Sequence, residues 1–251
     1  MKTILITGCS SGFGLETARY FLERDWNVVA TMRTPRADIL PRSERLRVIA
    51  LDVTDADSIA RAVEAAGPID VLVNNAGIGA LGALEGTSTA TAADIFATNT
   101  LGTIAMTRAV LPQFRQRKAG VVVNVTSSVT LTPLPLLSVY TASKAAVNAF
   151  TESLALELAQ FNVRVALVLP GRAPETSFGD NARARIDGAI PEAYADMAQG
   201  VFSAWGAQTA VTRAADVAEA VWRAATDPSS PPRIPAGADA VALALALAEQ
   251  R

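Results

Sequence analysis

The sequence predicts an α/β fold: a doubly wound parallel sheet covered by helices on both faces, three layers (α/β/α) in a single domain spanning 1–251. Three observations carry that prediction. Short runs rich in Val, Ile and Leu alternate with longer helical patterns along most of the chain. Those runs are apolar at successive positions, as strands sandwiched between two helix layers are. The chain has 251 residues, half of them hydrophobic and 18% charged, which suffices for one substantial core.

The expected strands are residues 3–7, 27–31, 46–51, 69–74, 121–126 and 163–169. Helices are expected over 13–24, 55–66, 92–117 and 138–160. Right-handed crossovers convert this alternation into a doubly wound sheet. The pattern changes after Leu169. Residues 172–206 combine prolines and glycines with no strand pattern, and are expected to form an irregular lid that closes over substrate. The Pro-rich stretch 229–235 should lead into a short edge strand and a last helix.

Composition removes several classes of function. The formal net charge is −2 and no Lys/Arg cluster exists, so no nucleic-acid partner is expected. Cys9 is the one cysteine, which rules out an intrachain disulfide and suits a reducing compartment. The first apolar run is too short for a signal-peptide core. The apolar stretch 240–248 falls far below the roughly 20 residues that span a bilayer. A cytoplasmic protein with no membrane partner is therefore expected. The chain contains no histidine, which eliminates Ser-His-Asp chemistry and most zinc sites, and no metal is expected.

The first strand runs into Thr7-Gly8-Cys9-Ser10-Ser11-Gly12-Phe13-Gly14 and then a helix. Gly8, Gly12 and Gly14 allow a tight turn and a close approach of backbone to a pyrophosphate at the positive helix N-terminus. Ser10, Ser11 and Phe13 complete this cofactor-binding loop. The context is that of a Rossmann-type dinucleotide site, although the spacing is Gly-x3-Gly-x-Gly rather than the commoner pattern. The same residues read Gly8-x-Ser10-x-Gly12, the nucleophile elbow of serine hydrolases, but that chemistry needs a histidine base. At the end of the second strand, where an acidic residue would hold the ribose hydroxyl of NAD, the sequence is Ala30-Thr31-Met32-Arg33. The Arg33 guanidinium would instead pair with a 2′-phosphate, so NADP(H) is preferred and NAD(H) possible.

Tyr140 and Lys144 lie four apart at the start of an expected helix and so face the same way. A phenol with a pKa of about 10 is a poor proton donor and acceptor near neutrality, and an adjacent ammonium is expected to lower it. A tyrosine tuned this way could protonate a carbonyl or deprotonate an alcohol.

Taken in order, Thr7-Gly8-x3-Gly12-x-Gly14, Asp52-Val53, Asn74-Asn75-Ala76-Gly77, Asn99, Ser128, Tyr140-x3-Lys144 and Pro170-Gly171 resemble the short-chain dehydrogenase/reductase family in its short single-domain form. The resemblance covers nearly the whole chain. It implies that Asp52 and Val53 meet the adenine and that Asn75, Ala76 and Gly77 line the cofactor ribose. It implies that Ser128 orients the substrate oxygen, that Tyr140 is the acid–base group, and that Lys144 binds the nicotinamide ribose and depresses the tyrosine pKa. Asn99 would help hold a water linking Lys144 to solvent, and Pro170, Gly171 and Thr176 would contact the nicotinamide end. Ser127 competes with Ser128: the family's usual Ser-to-Tyr separation is thirteen, which Ser127 matches, whereas Ser128 matches the strand-end pattern Asn-x-x-Ser-Ser.

The expected pocket wall takes Leu131, Leu134, Leu136 and Leu137 from the loop before Tyr140, and Phe178, Tyr194, Met197, Phe202 and Trp205 from the lid. An apolar ketone or secondary alcohol, aromatic or steroid- or retinoid-like, is the substrate such a wall suits. A catalytically inactive dinucleotide-binding regulator is the alternative. The resemblance also implies a homodimer or homotetramer, with the helices 92–117 and 138–160 and the stretch 240–248 as interface candidates.

Overall fold

The computed structural model describes residues 1–184 and 190–250. Seven strands form one parallel sheet: β1 (Thr3–Ile6), β2 (Asn27–Met32), β3 (Leu46–Ala50), β4 (Val71–Asn74), β5 (Gly120–Val125), β6 (Val163–Pro170) and β7 (Arg233–Ala236). Their order is β3-β2-β1-β4-β5-β6-β7. The doubly wound, Rossmann-type sheet expected from sequence is therefore present, with β7 as the expected short edge strand.

Strand periodicity explains the layers. In β1, Ile4 and Ile6 enter one core and Leu5 enters the other, and all three are fully buried. Each such side chain contributes about 1.5–3 kcal/mol by leaving water. On one face lie α1 (Gly12–Leu22) and α8 (Ala214–Thr226), delivering Phe21, Val217 and Val221 to the sheet. On the other lie α2 (Ala56–Ala66), α4 (Gly102–Arg117) and α5 (Ser138–Leu158), delivering Ile59, Met106, Phe114 and Leu154. Helix α8 has no counterpart among the expected helices. Its Val and Ala residues recur on one buried face, a pattern obscured in sequence by the weak hydrophobicity of alanine.

Two expectations need correction. The helix expected over 92–117 is α3 (Thr89–Phe96) and α4, joined by a π-helical turn at Ala97–Leu101. Ser88 caps α3 by accepting from the Thr91 N–H at 3.0 Å. The segment 172–206 is largely helical where it is described: α6 (Phe178–Ala184) and α7 (Ala195–Ala207) occupy it. The glycines inside α7, Gly200 and Gly206, fall on open surface, where they cost propensity but do not break the helix. Residues 185–189 of the expected lid lie outside the described residues. The final helix is α9 (Ala238–Glu249). Among the described residues, no helix is long and apolar enough to cross a membrane, and no cluster of acidic or sulfur side chains could hold a metal ion.

Candidate active site

The strand order reverses at β1, whose successor β2 lies on one side while β4 lies on the other. In such sheets the crevice at the carboxyl ends of the strands beside this switch point receives the ligand. Thr7 follows β1 and joins the two sides. Its hydroxyl accepts from the backbone N–H groups of Asn75 at 3.0 Å and Ala76 at 2.9 Å. The Asn75 amide nitrogen answers by donating to the carbonyls of Thr7 at 2.9 Å and Gly8 at 3.1 Å. Asn75 and Ala76 are thus fixed to the glycine loop, and Gly77 follows them. Thr7 was no site candidate in the sequence; its place immediately before Gly8 is the signal that could have found it.

The loop is shaped for a close approach. Gly8 has φ +75°, and a methyl group there would lie 2.8 Å from the Ala76 Cα. A methyl at Gly14 would strike the Gly8 carbonyl and lie 2.5 Å from the Asn75 amide nitrogen. Gly12 faces the Thr176 methyl, so the segment after β6 is brought against the loop. Ser11 is the N-cap of α1, with extended backbone and no side-chain cap bond, which leaves the first-turn N–H groups for an anion. These features fit a dinucleotide, whose pyrophosphate needs bare backbone and free donors. The Cys9 N–H donates to the Thr31 carbonyl at 2.8 Å and ties the loop to the end of β2. Arg33 follows β2 and is exposed. The Arg36 guanidinium, absent from the sequence candidates, donates to the Ser10 carbonyl at 2.7 Å. Phe13 packs against the core beneath α1, so it supports the loop from below.

Asp52 and Val53 follow β3. Asp52 accepts from the Thr54 N–H and hydroxyl at 2.9 and 2.7 Å, and these bonds, with the Arg33 charge, hold its carboxyl below the usual range. Val53 is buried, and its side chain fills the space above Gly102 at the start of α4. Pro170 ends β6. The Gly171 N–H donates to the Thr212 hydroxyl at 2.8 Å, and the Asp239 carboxylate occupies the space a Gly171 side chain would take. Gly171 is thereby held to the start of α9.

Tyr140 and Lys144 share the buried face of α5, one turn apart. Leu136, just before this helix, has φ +65°, a left-handed conformation uncommon for leucine. Its carbonyl accepts from the Gly82 N–H at 2.9 Å, and its buried side chain holds the loop in place. Asn99 sits in the π-helical turn. Its amide accepts from the Ile78 N–H at 2.8 Å and donates to the Ile78 carbonyl at 2.9 Å and the Ser143 hydroxyl at 3.0 Å. Ser143 in turn donates to the Tyr140 carbonyl at 2.7 Å. Ser143 was also missed in sequence, although it lies one turn from Tyr140. The absent side chain of Gly77 leaves room for Asn99 and Lys144 together: a methyl there would be 3.3 Å from both Oδ1 and Nζ.

Two details of the Tyr140–Lys144 pair differ from expectation. The hydroxyl that acts on the Tyr140 phenol, lowering its pKa, belongs to Ser127, not Ser128. Ser127 is buried at the end of β5 with extended backbone, whereas Ser128 begins the following short 3₁₀ turn. Successive residues leaving a strand point to opposite sides, so only one of the pair can face the phenol. The second difference concerns charge. Burial pushes the Tyr140 phenol up to about 12, with the Ser127 hydroxyl acting against it to a smaller degree. The lysine does not reverse this, because its ammonium donates to the Val125 carbonyl at 3.0 Å and burial has itself brought Lys144 down to about 8. The Phe178 ring lies over Tyr140 at a centroid distance of 5.6 Å.

A satellite apolar cluster borders this site. Leu81, Ala83, Leu136 and Ala198 form its buried part, and Leu137, Tyr194, Phe202 and Trp205 pack against it. Of the expected wall, Met197 and Phe178 are exposed.

The doubly wound sheet, a glycine loop at its switch point and a Tyr-x3-Lys helix beside it define a dinucleotide-binding protein of the dehydrogenase type. The family model for short chain dehydrogenases matches residues 2–187. Retinol dehydrogenase 8 from Bos taurus is 41% identical over 184 residues, covering 68% of this chain and 58% of the relative. The chain thus spans a little over half the length of that relative. The 3-ketodihydrosphingosine reductase of Bacteroides thetaiotaomicron is 39% identical over 199 residues, covering 78% of this chain and 72% of the relative. A crystal structure of a short-chain dehydrogenase from Streptomyces avermitilis superposes with a TM-score of 0.82 at 34% identity, covering 99% of this chain and 92% of the other. A short chain dehydrogenase from Burkholderia cenocepacia, solved with NADP, gives a TM-score of 0.79 at 27% identity over 99% of this chain and 94% of the other. The chain belongs to the short-chain dehydrogenase/reductase family, the NAD(P)-dependent oxidoreductases built on this sheet.

Proposed function

We propose that the protein transfers a hydride between NADP(H) and the carbonyl or secondary alcohol of a mostly apolar substrate, with Tyr140 as the proton donor and acceptor. The convergence of Tyr140, Ser127, Lys144 and Asn99 beside the glycine loop carries this reading. When bound, the nicotinamide supplies or accepts the hydride at the substrate carbon. The protein's own part is the oxygen. In reduction, the Tyr140 hydroxyl donates its proton to the carbonyl oxygen, and Ser127 hydrogen-bonds the same oxygen and aligns it. In oxidation, the phenolate takes the proton back. A phenol held near 12 stays protonated near neutrality, and its donation to the carbonyl is driven by the negative charge that develops on that oxygen as the hydride arrives. Lys144 and Asn99 are positioned to hold a proton path to solvent and the nicotinamide ribose.

Arg33 supports NADP(H) over NAD(H), since it stands where the strand end would otherwise present a carboxylate. The satellite cluster supports an apolar substrate. Two relatives carry retinol and 3-ketodihydrosphingosine in their names, an alcohol and a ketone on long hydrocarbon frames. A homodimer or homotetramer and a cytoplasmic location complete the proposal.

The test is a screen of purified protein against apolar ketones and alcohols with NADPH and NADH. Tyr140→Phe should bind cofactor as the wild type does and lose turnover. Tight cofactor binding with no turnover on any substrate would favour the inactive regulator.

A further inference from the structure

We infer that Thr212 and Asp239 form a latch at the root of the segment that covers the cofactor cleft, and that through it the start of α9 positions the cleft for hydride transfer. This rests on reading the cleft between the glycine loop and Tyr140 as the place where the nicotinamide meets substrate. The chain leaving β6 at Pro170 runs over both ends of that cleft. Thr176 lies against the glycine loop, 3.5 Å from where a methyl at Gly12 would stand. Two residues on, the Phe178 ring lies over the Tyr140 ring at a centroid distance of 5.6 Å. A dinucleotide reaching from the phosphate loop to Tyr140 therefore passes under residues 171–178, and the placing of that span limits where the nicotinamide ring can sit.

The root of the span is held by residues far along the chain. The Gly171 N–H donates to the Thr212 hydroxyl at 2.8 Å, and the Arg172 N–H donates to Asp239 Oδ2 at 2.6 Å. The second bond ends on a carboxylate, which makes it one of the stronger kinds. The Thr212 hydroxyl donates its proton to Asp239 Oδ1 at 2.7 Å, with the Ala236 carbonyl at 2.9 Å as the other acceptor in reach. The Thr212 N–H closes the ring by donating to the Arg172 carbonyl at 2.8 Å. Two glycines make room for this arrangement. A side chain at Gly171 would collide with the Asp239 carboxylate, and one at Gly237, which has φ +94°, would collide with the Thr212 hydroxyl. The span has other ties: Glu175 accepts from the Ala214 N–H, and the Arg172 guanidinium donates to the Gln208 carbonyl. Those bonds are exposed, where water competes for the same groups, whereas Thr212 is fully buried. The latch, not the surface ties, therefore sets the position of the span. Thr212 and Asp239 act through backbone N–H groups, so they are positioning residues rather than catalytic ones.

The experiment measures binding of NADPH and of 2′,5′-ADP to the full chain by calorimetry, with the fluorescence of the bound reduced nicotinamide, for wild type, Asp239→Ala, Asp239→Asn and Thr212→Val. 2′,5′-ADP carries only the adenosine half and does not reach the span; NADH and 5′-AMP replace the pair if wild type prefers the cofactor without the phosphate. Asp239→Ala should weaken NADPH about 10-fold, leave 2′,5′-ADP within about twofold, and reduce the rise in nicotinamide fluorescence on binding. Its kcat should fall about 10- to 100-fold, as small misplacements of reacting groups cause. Thr212→Val keeps shape and volume, should show the same pattern, and decides the matter if Asp239→Ala does not fold. Asp239→Asn should recover most of the loss. Its amide oxygen can accept from the Arg172 N–H while its nitrogen donates to the Thr212 hydroxyl, whose proton turns to Ala236. Equal weakening of both ligands, or a lower melting temperature with binding and turnover unchanged, would overturn the inference, since the latch would then serve the fold alone. A wild type that binds neither dinucleotide would sink it together with the reading it rests on. Tyr140→Phe, run alongside, keeps the two claims apart: turnover that survives it removes Tyr140 from the reaction, while the ratio of the two affinities still decides on the latch.

Discussion

Replacing Lys144 by methionine should make stability less dependent on pH while abolishing turnover. The wild-type ammonium is buried, donates to the Val125 carbonyl at 3.0 Å, and is brought by burial from 10.5 to about 8. A shift of that size corresponds to ~3 kcal/mol favouring the neutral amine in the folded protein. The folded-state value is the lower one, so between about pH 8 and pH 10.5 the unfolded chain binds more protons than the native one. Stability from this residue therefore rises with pH, by ~2–3 kcal/mol between about pH 7 and pH 10. Tyr140 works in the opposite sense at higher pH. Its value is raised from 10.0 to about 12, so its contribution is present below pH 10 and lost between there and pH 12. Cys9, raised by burial from 9.0 to about 12, also loses its contribution above pH 9, but it is common to both proteins, so the difference between wild type and variant up to pH 10 isolates the lysine. Methionine fills a similar volume without charge, but it leaves the Val125 carbonyl unpaired, at a pH-independent cost of ~1–3 kcal/mol. The variant should be as stable as wild type or slightly more so near pH 7, and clearly less stable near pH 10. Urea unfolding at several pH values gives the comparison. Parallel stability curves for the two proteins would refute the reasoning, because they would mean that Lys144 is not desolvated in the native state.

Ser127→Ala should reduce kcat by about 100-fold or more, as loss of a preorganised donor does, while Ser128→Ala stays within about threefold; steady-state kinetics on any substrate turned over decides between them. Gly14→Ala forces a methyl into the Gly8 carbonyl and the Asn75 amide, so it should lower stability by ~2 kcal/mol or more and abolish nucleotide binding, read by thermal melting with and without NADPH. Asn99→Leu leaves the Ile78 N–H and carbonyl without partners and frees the Ser143 hydroxyl, which should cost ~2–4 kcal/mol in denaturant unfolding.

Much of the architecture follows from the amino-acid sequence alone, because it depends on local pattern. Ile4, Leu5 and Ile6 are apolar at consecutive positions, which only a strand covered on both faces explains. Gly8, Gly12 and Gly14 at a strand-to-helix turn announce a phosphate loop, and Tyr140 and Lys144 must share a helix face whatever surrounds them. The absence of histidine excludes hydrolysis at the Gly-x-Ser-x-Gly motif before any fold is known. Tertiary structure decided the rest, because those properties arise between segments distant in the chain. Whether Ser127 or Ser128 meets the phenol depends on how β5 ends relative to α5. The Tyr140 pKa depends on burial and on the Val125 carbonyl that draws the lysine away, neither of which a spacing of four residues contains. The π-helical turn that offers Asn99 to Ile78 and Ser143, and the reach of Arg36 to Ser10, are likewise long-range events. Periodicity reports which face of an element is buried; it carries no information about which polar atom waits on the other side.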